Sequence, residues 1–379
     1  MTKPGVGARQ GGRTGKGPKR RIAILFGGRS AEHEVSVASA RSVLAALDPD
    51  RYDVLTIGID KEGRWHHLDA LPATTRAGAL PSVRPEEGSG VSLAREPGDA
   101  AMIADDGTRR EIDVVFPILH GPFGEDGTVQ GMLELAGVPY VGAGVLASAV
   151  GMDKAVQKVL FEAAGLRVVD HEVVHDRDWE RDRAGVQGRA ARLGLPLFVK
   201  PATLGSSVGI TKVKRSEDLP AAIEEALSFA SKALIERSME GAREIECGVL
   251  GNDDPVASVP GEVVPNAEFY DYRAKYLDEG AALEVPADLP PSVAREIQRS
   301  SIVAFRAIDG AGMARVDFFL MEPEEIVMNE VNTIPGFTPV SMYSKMWEAT
   351  GVSYPELIDR LVELAIERHD RERKRGRTL

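Results

Sequence analysis

The stretch that decides the fold runs from Arg315 to Gly336 and reads R-V-D-F-F-L-M-E-P-E-E-I-V-M-N-E-V-N-T-I-P-G. In each half of the stretch, alternate side chains would point to opposite faces, and this is the period of a β-strand. Between the halves, Glu322 to Glu325 has the composition of a tight turn. The stretch therefore predicts two antiparallel strands joined as a hairpin.

Four polar side chains interrupt this otherwise apolar hairpin and predict a functional site. In the antiparallel pair, Arg315 and Asp317 are expected near Glu330 and Asn332. Charges in apolar strands are costly unless they are paired or bind a metal. Asp317, Glu330 and Asn332 are oxygen donors, which suit Mg²⁺ when phosphate oxygens complete its octahedral shell. The alternative for each residue taken singly is a solvated polar strand face.

Composition limits the classes of protein that this chain can belong to. It has 379 residues, 43% of them hydrophobic and 27% charged, which is typical of a globular protein of two or three domains. A formal net charge of −12 argues against a general nucleic-acid-binding protein. The single cysteine, Cys247, excludes an internal disulfide and fits a reducing cytoplasm. We expect neither a membrane span nor a secretory signal.

Both ends of the chain are predicted to lie outside the packed fold. Residues 1–20 contain six glycines and six lysines or arginines but no acidic residue, so we expect a disordered basic tail. Residues 369–379 are highly charged and are expected to be frayed.

The first part of the chain predicts a parallel sheet with helices on both faces. Apolar strands are expected at 21–26, 52–59 and 112–119, with an amphipathic helix after the first. Ligands in such sheets bind at the carboxyl ends of the strands. Glu32 and the loop that starts at His120 both follow strand ends, so they should face the same edge. Residues 60–111 are rich in Gly, Pro and Ala and predict irregular structure that could include one hairpin.

A short strand at 138–141 precedes G-A-G-V-L-A at 142–147, which matches a dinucleotide-binding pattern. The acidic residue expected about twenty positions later would be Glu162, but Glu162 lies within a predicted helix. We therefore favour a link between two domains over a dinucleotide site.

The middle of the chain predicts a phosphate-binding loop. A helix at 152–164 carries Lys154 and Lys158, and a later strand at 195–201 ends in Lys200-Pro201. The Gly- and Ser-rich loop at 202–209 follows, and a strand at 210–213 completes a hairpin. Backbone N–H groups in such a loop can surround a phosphate, and a neighbouring lysine supplies positive charge.

Regular elements continue beyond this loop, with one long interruption. Regular structure is not predicted over 262–286, where clustered aromatics and Lys275-Tyr276 favour a functional lid. Strands are predicted at 233–236 and 243–250, and helices at 219–230, 293–308, 340–349 and 354–367.

Several motifs occur together in one order: G-G-R-S-A-E-H-E-V-S, L-H-G-P-F-G-E-D-G, M-D-K, V-K-P-A-T-L-G-S-S-V-G, D-Y-R-A-K-Y, R-V-D-F and N-E-V-N-T-I-P-G-F-T. Over about residues 21–368 the chain resembles the D-alanine–D-alanine ligases of the ATP-grasp superfamily. The resemblance implies an α/β fold with a Rossmann-like N-terminal domain at 21–142. It also implies two α+β ATP-grasp lobes at 143–235 and 236–368, the second carrying the lid.

The resemblance also implies which residues bind ATP and metal. The lysines would contact phosphates, the serines belong to the triphosphate loop, and the two glutamates lie near adenine and ribose. The ATP-binding residues are then Lys154, Lys200, Ser206, Ser207, Glu236, Glu244 and Lys275. Two Mg²⁺ or Mn²⁺ ions would be held by Asp317, Glu330 and Asn332, with Glu330 bridging them.

The remaining roles implied by the resemblance concern catalysis and the two amino acids. Arg315 and the Gly336 backbone would stabilise an oxyanion, and Glu32 would contact the first ammonium. The full catalytic set is Glu32, His120, Ser206, Tyr276, Arg315 and Gly336. The substrate-binding set is Glu32, His120, Ser341 and Met342. The implied reaction joins two D-alanines at the expense of ATP, for peptidoglycan precursors, in a cytoplasmic enzyme expected to be a homodimer.

Three alternatives stay open at this point. A D-alanine–D-lactate ligase or another ATP-grasp carboxylate–amine ligase could share the same scaffold. A non-catalytic nucleotide-binding regulator is the alternative from a different class. Loss of Lys200, Asp317 or Glu330 would have favoured the regulator, and all three are present.

Overall fold

Three β-sheets, with helices packed on them, make up the described part of the chain. This arrangement confirms the predicted α/β class. No helix within the described residues is long and apolar enough to cross a membrane. The residues that the computed structural model describes are 18–72, 81–94, 96, 98–205, 208–265 and 281–375. Most of the predicted N-terminal tail, residues 1–17, thus lies outside them.

The first sheet contains seven strands in the order β6-β5-β4-β3-β2-β1-β7. Strand β1 pairs in parallel with both β2 and β7, and helices α1 (His33–Ala46) and α2 (Thr128–Ala136) belong to this part of the chain. The strands are β1 (Arg20–Gly27), β2 (Tyr52–Ile59), β3 (Trp65–His67), β4 (Ser89–Leu93), β5 (Ala101–Ala104), β6 (Arg109–Glu111) and β7 (Val114–Ile118).

Two predictions for this sheet were wrong. Residues 60–111 contribute four strands, β3 to β6, that extend the sheet by antiparallel pairing, so the sheet is mixed instead of parallel. These strands are short, and their Gly- and Pro-rich surroundings mask the strand period. At 138–141 the chain forms only an isolated bridge between Val115 and Tyr140.

The apolar run of β1 is explained by packing on both faces of the sheet. Ile22 and Phe26 lie in a core that includes Val37 of α1, whereas Leu25 faces a second core with Leu133 of α2. Residues 22 to 26 are wholly buried. A strand covered on both sides needs apolar residues at every position, which is why no alternation is seen in its sequence.

The second sheet is antiparallel throughout, with the order β10-β9-β11-β8. Its strand β9 carries Lys200 and pairs with β10 across the predicted phosphate loop. The elements are β8 (His171–His175), α5 (Asp176–Arg181), α6 (Arg183–Ala191), β9 (Leu197–Pro201), β10 (Thr211–Val213), α7 (Leu219–Phe229) and β11 (Lys232–Arg237).

The third sheet is also antiparallel and contains the hairpin predicted between Arg315 and Asn332. Its main path is β15-β14-β12-β16-β17, and β13 pairs with β12. The elements are β12 (Arg243–Gly251), β13 (Val256–Ala257), β14 (Gly261–Pro265), β15 (Ala281–Glu284), α8 (Pro291–Ala307), β16 (Gly312–Met321), β17 (Glu325–Asn332), α9 (Met342–Thr350) and α10 (Tyr354–Lys374).

Helices α3 (Val145–Met152) and α4 (Lys154–Ala163) connect the first sheet to the other two. Their buried residues Ala147 and Phe161 share a core with Val316 and Val331 of the third sheet. The segment at 142–147 thus leads into a helix that packs against this sheet.

Two expectations near the C-terminus need correction. Within 262–286 the chain is not wholly irregular, because β14 and β15 pair, while 266–280 lies outside the described residues. The predicted frayed end at 369–379 is helical as far as Lys374, and Arg371 forms an ion pair with Asp253. This ion pair connects the end of the helix with the loop that follows β12.

Candidate active site

The hairpin of β16 and β17 brings its four polar residues together as the alternation predicts. Arg315 lies opposite Asn332 and Asp317 lies opposite Glu330, just before a bulge. Arg315 donates two hydrogen bonds to Asp317, from Nε to Oδ1 and from Nη2 to Oδ2, and each is 2.8 Å long. The Asn332 amide donates to the same carboxylate at 2.9 Å. The register therefore builds a compact polar cluster on one face of the sheet.

A second carboxylate fixes the charge of Arg315. Glu246 of β12 lies 3.0 Å from Arg315 Nε. Burial lowers the pKa of Arg315, but Asp317 and Glu246 outweigh this effect and raise it well above the ordinary value. The guanidinium thus stays protonated in a buried place, where a fixed positive charge acts strongly on developing negative charge.

A cavity of about 430 Å³ opens beside this cluster and is lined by all three sheets or the loops that follow them. Most of the candidate residues from the sequence meet here. Those that line it are Glu32, His120, Lys154, Glu244, Arg315, Asp317, Glu330, Asn332, Gly336, Ser341 and Met342. Of the other candidates, Lys200 and Glu236 are buried, and Ser206, Ser207, Lys275 and Tyr276 lie outside the described residues.

Lys154 is positioned by the start of α4. The Asp153 carboxylate caps this helix by accepting hydrogen bonds from the N–H groups of Ala155 and Val156. The Lys154 ammonium donates to the Leu204 carbonyl at 2.7 Å and lies 3.3 Å from Glu330 Oε2. A single lysine therefore connects the start of the Gly- and Ser-rich loop with the acidic hairpin.

The edge of the first sheet contributes Glu32 and His120, as its strand ends predict. His120 is buried, and its Nδ1 lies 3.2 Å from the Ile334 carbonyl. Because a carbonyl only accepts, Nδ1 carries the proton and Nε2 is left as an acceptor in the neutral ring. Burial lowers the pKa of His120 more than the nearby Glu32 raises it, so the ring is neutral at ordinary pH.

Glu125 is a residue of this site to which the sequence analysis gave no role. Its Oε1 accepts a hydrogen bond from the Gly121 N–H at 2.8 Å, and its side chain lines the cavity. Burial, together with the negative charge of Glu32, raises the pKa of Glu125 to about 8. Its place in the loop after His120 was a signal that sequence alone could have used.

Ser341 and Gly336 belong to one tight loop after the hairpin. The Ser341 hydroxyl accepts from the Thr338 N–H at 3.1 Å and lies 2.8 Å from the Thr338 hydroxyl. A side chain on Gly336 would come within 3.3 Å of the Ser341 hydroxyl. The loop is anchored by Tyr354, whose hydroxyl donates to the Phe337 carbonyl at 3.0 Å.

Glu236, which the resemblance places near the adenine and ribose, contacts two buried lysines. One of its carboxylate oxygens lies 2.5 Å from Lys200 Nζ and the other 2.6 Å from Lys158 Nζ. Burial raises the pKa of Glu236, but the two lysines dominate and lower it to about 2. Both oxygens therefore face lysines, and Lys158 joins the candidate residues.

The predicted metal ligands form a mixed set of oxygen donors. Among the described residues, no group of three or more His, Cys, Asp or Glu side chains is arranged to hold a metal ion. Asp317 and Glu330 are two carboxylates in register, and Asn332 is an amide beside them. Mg²⁺ typically uses one or two carboxylates and takes its remaining ligands from water and substrate phosphates. The donor set fits that mode of binding.

Two family models match the chain, and together they cover most of it. The model described as "D-ala D-ala ligase N-terminus" matches residues 21–143, and that described as "D-ala D-ala ligase C-terminus" matches residues 160–363. The chain belongs to the D-alanine–D-alanine ligase family. The C-terminal match contains the acidic hairpin, and the N-terminal match contains Glu32 and His120. The residues on both sides of the cavity therefore lie in regions that match the family models.

Individual members of the family agree with this assignment. The D-alanine–D-alanine ligases of Streptomyces coelicolor and Shouchella clausii are each 50% identical to this chain, covering 92% and 94% of it and 93% and 97% of their own lengths. The solved structure of the Coxiella burnetii D-alanine–D-alanine ligase superposes with a TM-score of 0.82 at 39% identity, covering 95% of this chain and 97% of that one.

A relative with a different second substrate has nearly the same fold. The VanG D-Ala:D-Ser ligase of Enterococcus faecalis superposes with a TM-score of 0.81 at 34% identity, covering 92% of this chain and all of that one. The fold alone therefore does not fix the second amino acid.

Proposed function

We propose that this protein is an ATP-dependent ligase that joins two D-alanine molecules into D-alanyl-D-alanine, releasing ADP and phosphate. Membership of the D-alanine–D-alanine ligase family supports this activity. The observation that carries it is the cavity where Arg315, Lys154 and the acidic hairpin meet Glu32 and His120. In this enzyme the product would end the peptide of peptidoglycan precursors, made in the cytoplasm where ATP is available.

The proposed architecture is a Rossmann-like N-terminal domain at 21–142 followed by two ATP-grasp lobes. The lobes are 143–235 and 236–368, and the lid is 262–286. Support comes from the parallel β2-β1-β7 core of the first sheet and from the two separate antiparallel sheets that follow it. The cavity between them would then hold ATP beside the hairpin.

The nucleotide and metal roles follow from charge. Lys154 and Lys200 would contact the phosphates, with Ser206, Ser207 and Lys275 completing the site from outside the described residues. Glu236 and Glu244 would lie near the adenine and ribose, and Glu236 also contacts Lys158 and Lys200. Asp317, Glu330 and Asn332 would hold Mg²⁺ or Mn²⁺, and the ions supply charge neutralisation for the transferring phosphoryl group.

The reaction would proceed in two steps. The carboxylate of the first D-alanine, whose ammonium would be held by Glu32, attacks the γ-phosphorus of ATP and forms an acyl phosphate, while ADP leaves with the electron pair of the broken P–O bond. The amine of the second D-alanine, held near Ser341 and Met342, then attacks the acyl carbon and phosphate leaves. Arg315 and the Gly336 N–H stabilise the oxyanion between these events. The Glu32, Ser206 and Tyr276 side chains would close the lid and exclude water.

The second substrate is tested by offering D-alanine, D-serine, D-lactate and L-alanine separately and in pairs while ADP release and product mass are measured. We expect ADP release with D-alanine alone and a D-alanyl-D-alanine product. D-Serine is the alternative with a specific observation behind it, since the D-Ala:D-Ser ligase shares this fold. A preference for D-serine or D-lactate as the second substrate at neutral pH would overturn the proposal.

The metal role is tested with Glu330→Gln, which removes a charge without changing size. We expect turnover to be lost and Mn²⁺ binding, measured by electron paramagnetic resonance in the presence of an ATP analogue, to weaken. Glu322→Gln, in the exposed hairpin turn, is the matched control and should change neither. Normal Mn²⁺ binding by a folded Glu330→Gln variant would reject the assignment.

A homodimer is supported by an apolar surface on α2, α3 and α4. Large apolar side chains are exposed there although the helices pack on one another. The exposed residues are Leu135, Val145, Leu146 and Val159. Large apolar side chains that are exposed on neighbouring helices are a feature of protein–protein interfaces. Light scattering should give the mass of a dimer, and Leu146→Glu should give a monomer; a monomeric wild-type protein would contradict the proposal.

A further inference from the structure

Lys158 lies on α4, one helical turn after Lys154, and its side chain is 1% exposed. It shares the Glu236 carboxylate with Lys200, each lysine facing a different oxygen at 2.6 and 2.5 Å. Glu236 itself is 5% exposed. Three charged groups are therefore buried in one row, and the row continues toward the hairpin through the attraction between Lys200 and Glu330.

The row contains one more positive charge than negative when all three groups are ionised. The two lysines keep Glu236 ionised, as its low pKa shows. Burial lowers the pKa of Lys200, but Glu236 and Glu330 outweigh it and raise that pKa. Burial lowers the pKa of Lys158, against the attraction of Glu236. Buried cations are costly unless anions lie near them, and here Glu236 and Glu330 both attract the two lysines.

Stability alone gives no reason for a lysine at position 158. A buried ion pair is often no more stabilising than apolar residues of the same volume. The Lys158 ammonium lies 2.6 Å from Glu236 Oε1, and the attraction between these two charged groups raises the pKa of Lys158 against its burial. Its contribution is therefore charge, delivered to one oxygen of Glu236.

We propose that Lys158 is a positioning residue for the nucleotide phosphates, acting through Glu236 on Lys200. Lys158 occupies one carboxylate oxygen and neutralises part of the charge of Glu236, so Lys200 keeps positive charge available for a phosphate. Without Lys158, the negative charge of Glu236 would be balanced by Lys200 alone. These two remaining groups would then carry no net charge. This inference rests on the proposed contact between Lys200 and phosphate.

The test is a double-mutant cycle between Lys158 and Glu236, read out as the Kd of a non-hydrolysable ATP analogue by calorimetry. Lys158→Met should weaken binding by about tenfold or more, the scale of a hydrogen bond to a charged group. In the Glu236→Gln background the same change should cost much less, because the charge to be compensated is gone. The KM for D-alanine should not change.

A purely structural role predicts a different result. Lys158→Met would then lower the thermal unfolding temperature. It would either weaken binding of the ATP analogue by the same factor with Glu236 and with Gln at position 236, or leave that binding unchanged. Either outcome overturns the inference. Lys158→Gln serves if the methionine variant does not fold, since it removes the charge but keeps a donor, and the same loss is expected. Lys158→Arg, which retains the charge, should bind more tightly than either.

Two further variants separate this inference from the function on which it rests. Lys200→Met should weaken the analogue strongly. If it does so while Lys158→Met does not, only the inference about Lys158 fails. If Lys200→Met binds normally, the proposed phosphate role of Lys200 fails first. Lys61→Met removes an exposed Lys–Glu ion pair on the first sheet and is the control that should leave the Kd unchanged.

Discussion

Arg315 shows how single residues of the site are prepared before substrate binds. Its guanidinium donates two hydrogen bonds to the Asp317 carboxylate. The guanidinium also forms an ion pair with Glu246 on the neighbouring strand. The guanidinium is therefore held in one orientation by carboxylates on two neighbouring strands of the third sheet. Oxyanion stabilisation depends on this kind of preorganisation.

Replacing Arg315 should be costly for catalysis but not for nucleotide binding. We expect Arg315→Ala to lower kcat by about 100- to 1,000-fold, the range for loss of one oxyanion donor, with the Kd of an ATP analogue little changed. Steady-state kinetics and calorimetry measure the two quantities. The control is Arg243→Ala, which breaks an Arg–Glu pair elsewhere on the same sheet. A drop in kcat below about tenfold would contradict the role.

Glu125 should make the stability of the protein depend on pH. Its folded pKa of about 8 lies above the ordinary 4.5, so the folded state holds the proton more tightly than the unfolded one. The contribution of Glu125 to the free energy of unfolding is constant below the pKa of the unfolded state, 4.5. It decreases as the pH rises from 4.5 to about 8, the pKa of the folded state. Glu125→Gln should remove that loss.

The expected signature is a difference in thermal unfolding temperature between Glu125→Gln and wild type that grows with pH. The variant should equal the wild type in acid and exceed it above about pH 8, because glutamine stays neutral. Scanning calorimetry across this interval measures it. An equal difference at all pH values would show that folding does not raise the pKa of Glu125.

At the scale of elements, α10 ties the C-terminus to the first sheet. The Arg368 guanidinium lies 4.4 Å from the centre of the Tyr140 ring and donates to the Tyr140 carbonyl at 3.2 Å and to the Gly142 carbonyl. These contacts hold the segment that leads into α3. The contacts of Arg368 with Tyr140 and Gly142 thus form a clamp between the end of α10 and the segment before α3.

Loss of that clamp should destabilise the protein. We expect Arg368→Ala to lower the free energy of unfolding by about 1–3 kcal/mol, the combined scale of a cation–π contact and charged hydrogen bonds. Arg360→Ala on the same helix breaks only an exposed pair with Glu356 and should cost less than about 0.5 kcal/mol. Urea unfolding compares the two. Equal effects would show that the contacts of Arg368 contribute nothing specific.

At the scale of the whole molecule, the cavity exists only because three sheets meet. The first sheet supplies Glu32 and His120, the link helix α4 supplies Lys154, and the third sheet supplies Arg315 and the acidic pair. A ligand that touches all of them binds the folded state alone. Ligands of this kind stabilise the fold in proportion to the logarithm of their concentration.

An ATP analogue with Mg²⁺ should therefore raise the unfolding temperature. At about 100 times its Kd, the stabilisation should approach 2.7 kcal/mol. The same analogue with a chelator should give a smaller shift, since Asp317 and Glu330 would face the phosphates without a cation between them. Thermal-shift measurements with and without Mg²⁺ provide the comparison. Equal shifts would contradict a metal-assisted site.

Local pattern was sufficient for the elements that carry the site. The alternation from Arg315 to Asn332 predicted the hairpin, because the register of two adjacent strands depends on residues close in sequence. The edge position of Glu32 and His120 followed from the order of strands and helices. In contrast, β3 to β6 and the pairing of β14 with β15 were missed, because these strands are only three to five residues long and are too short to show a clear alternation.

The sequence by itself therefore determined the family, the α/β class and the grouping of four polar side chains on the hairpin. Only the tertiary structure decided that Glu236 faces two lysines, that Glu125 is a proton-holding group and that α10 ends as a clamp. The physical reason is the same in each case. Burial and charge pairing are set by side chains from distant parts of the chain, and their effects appear only when the sheets close around one cavity.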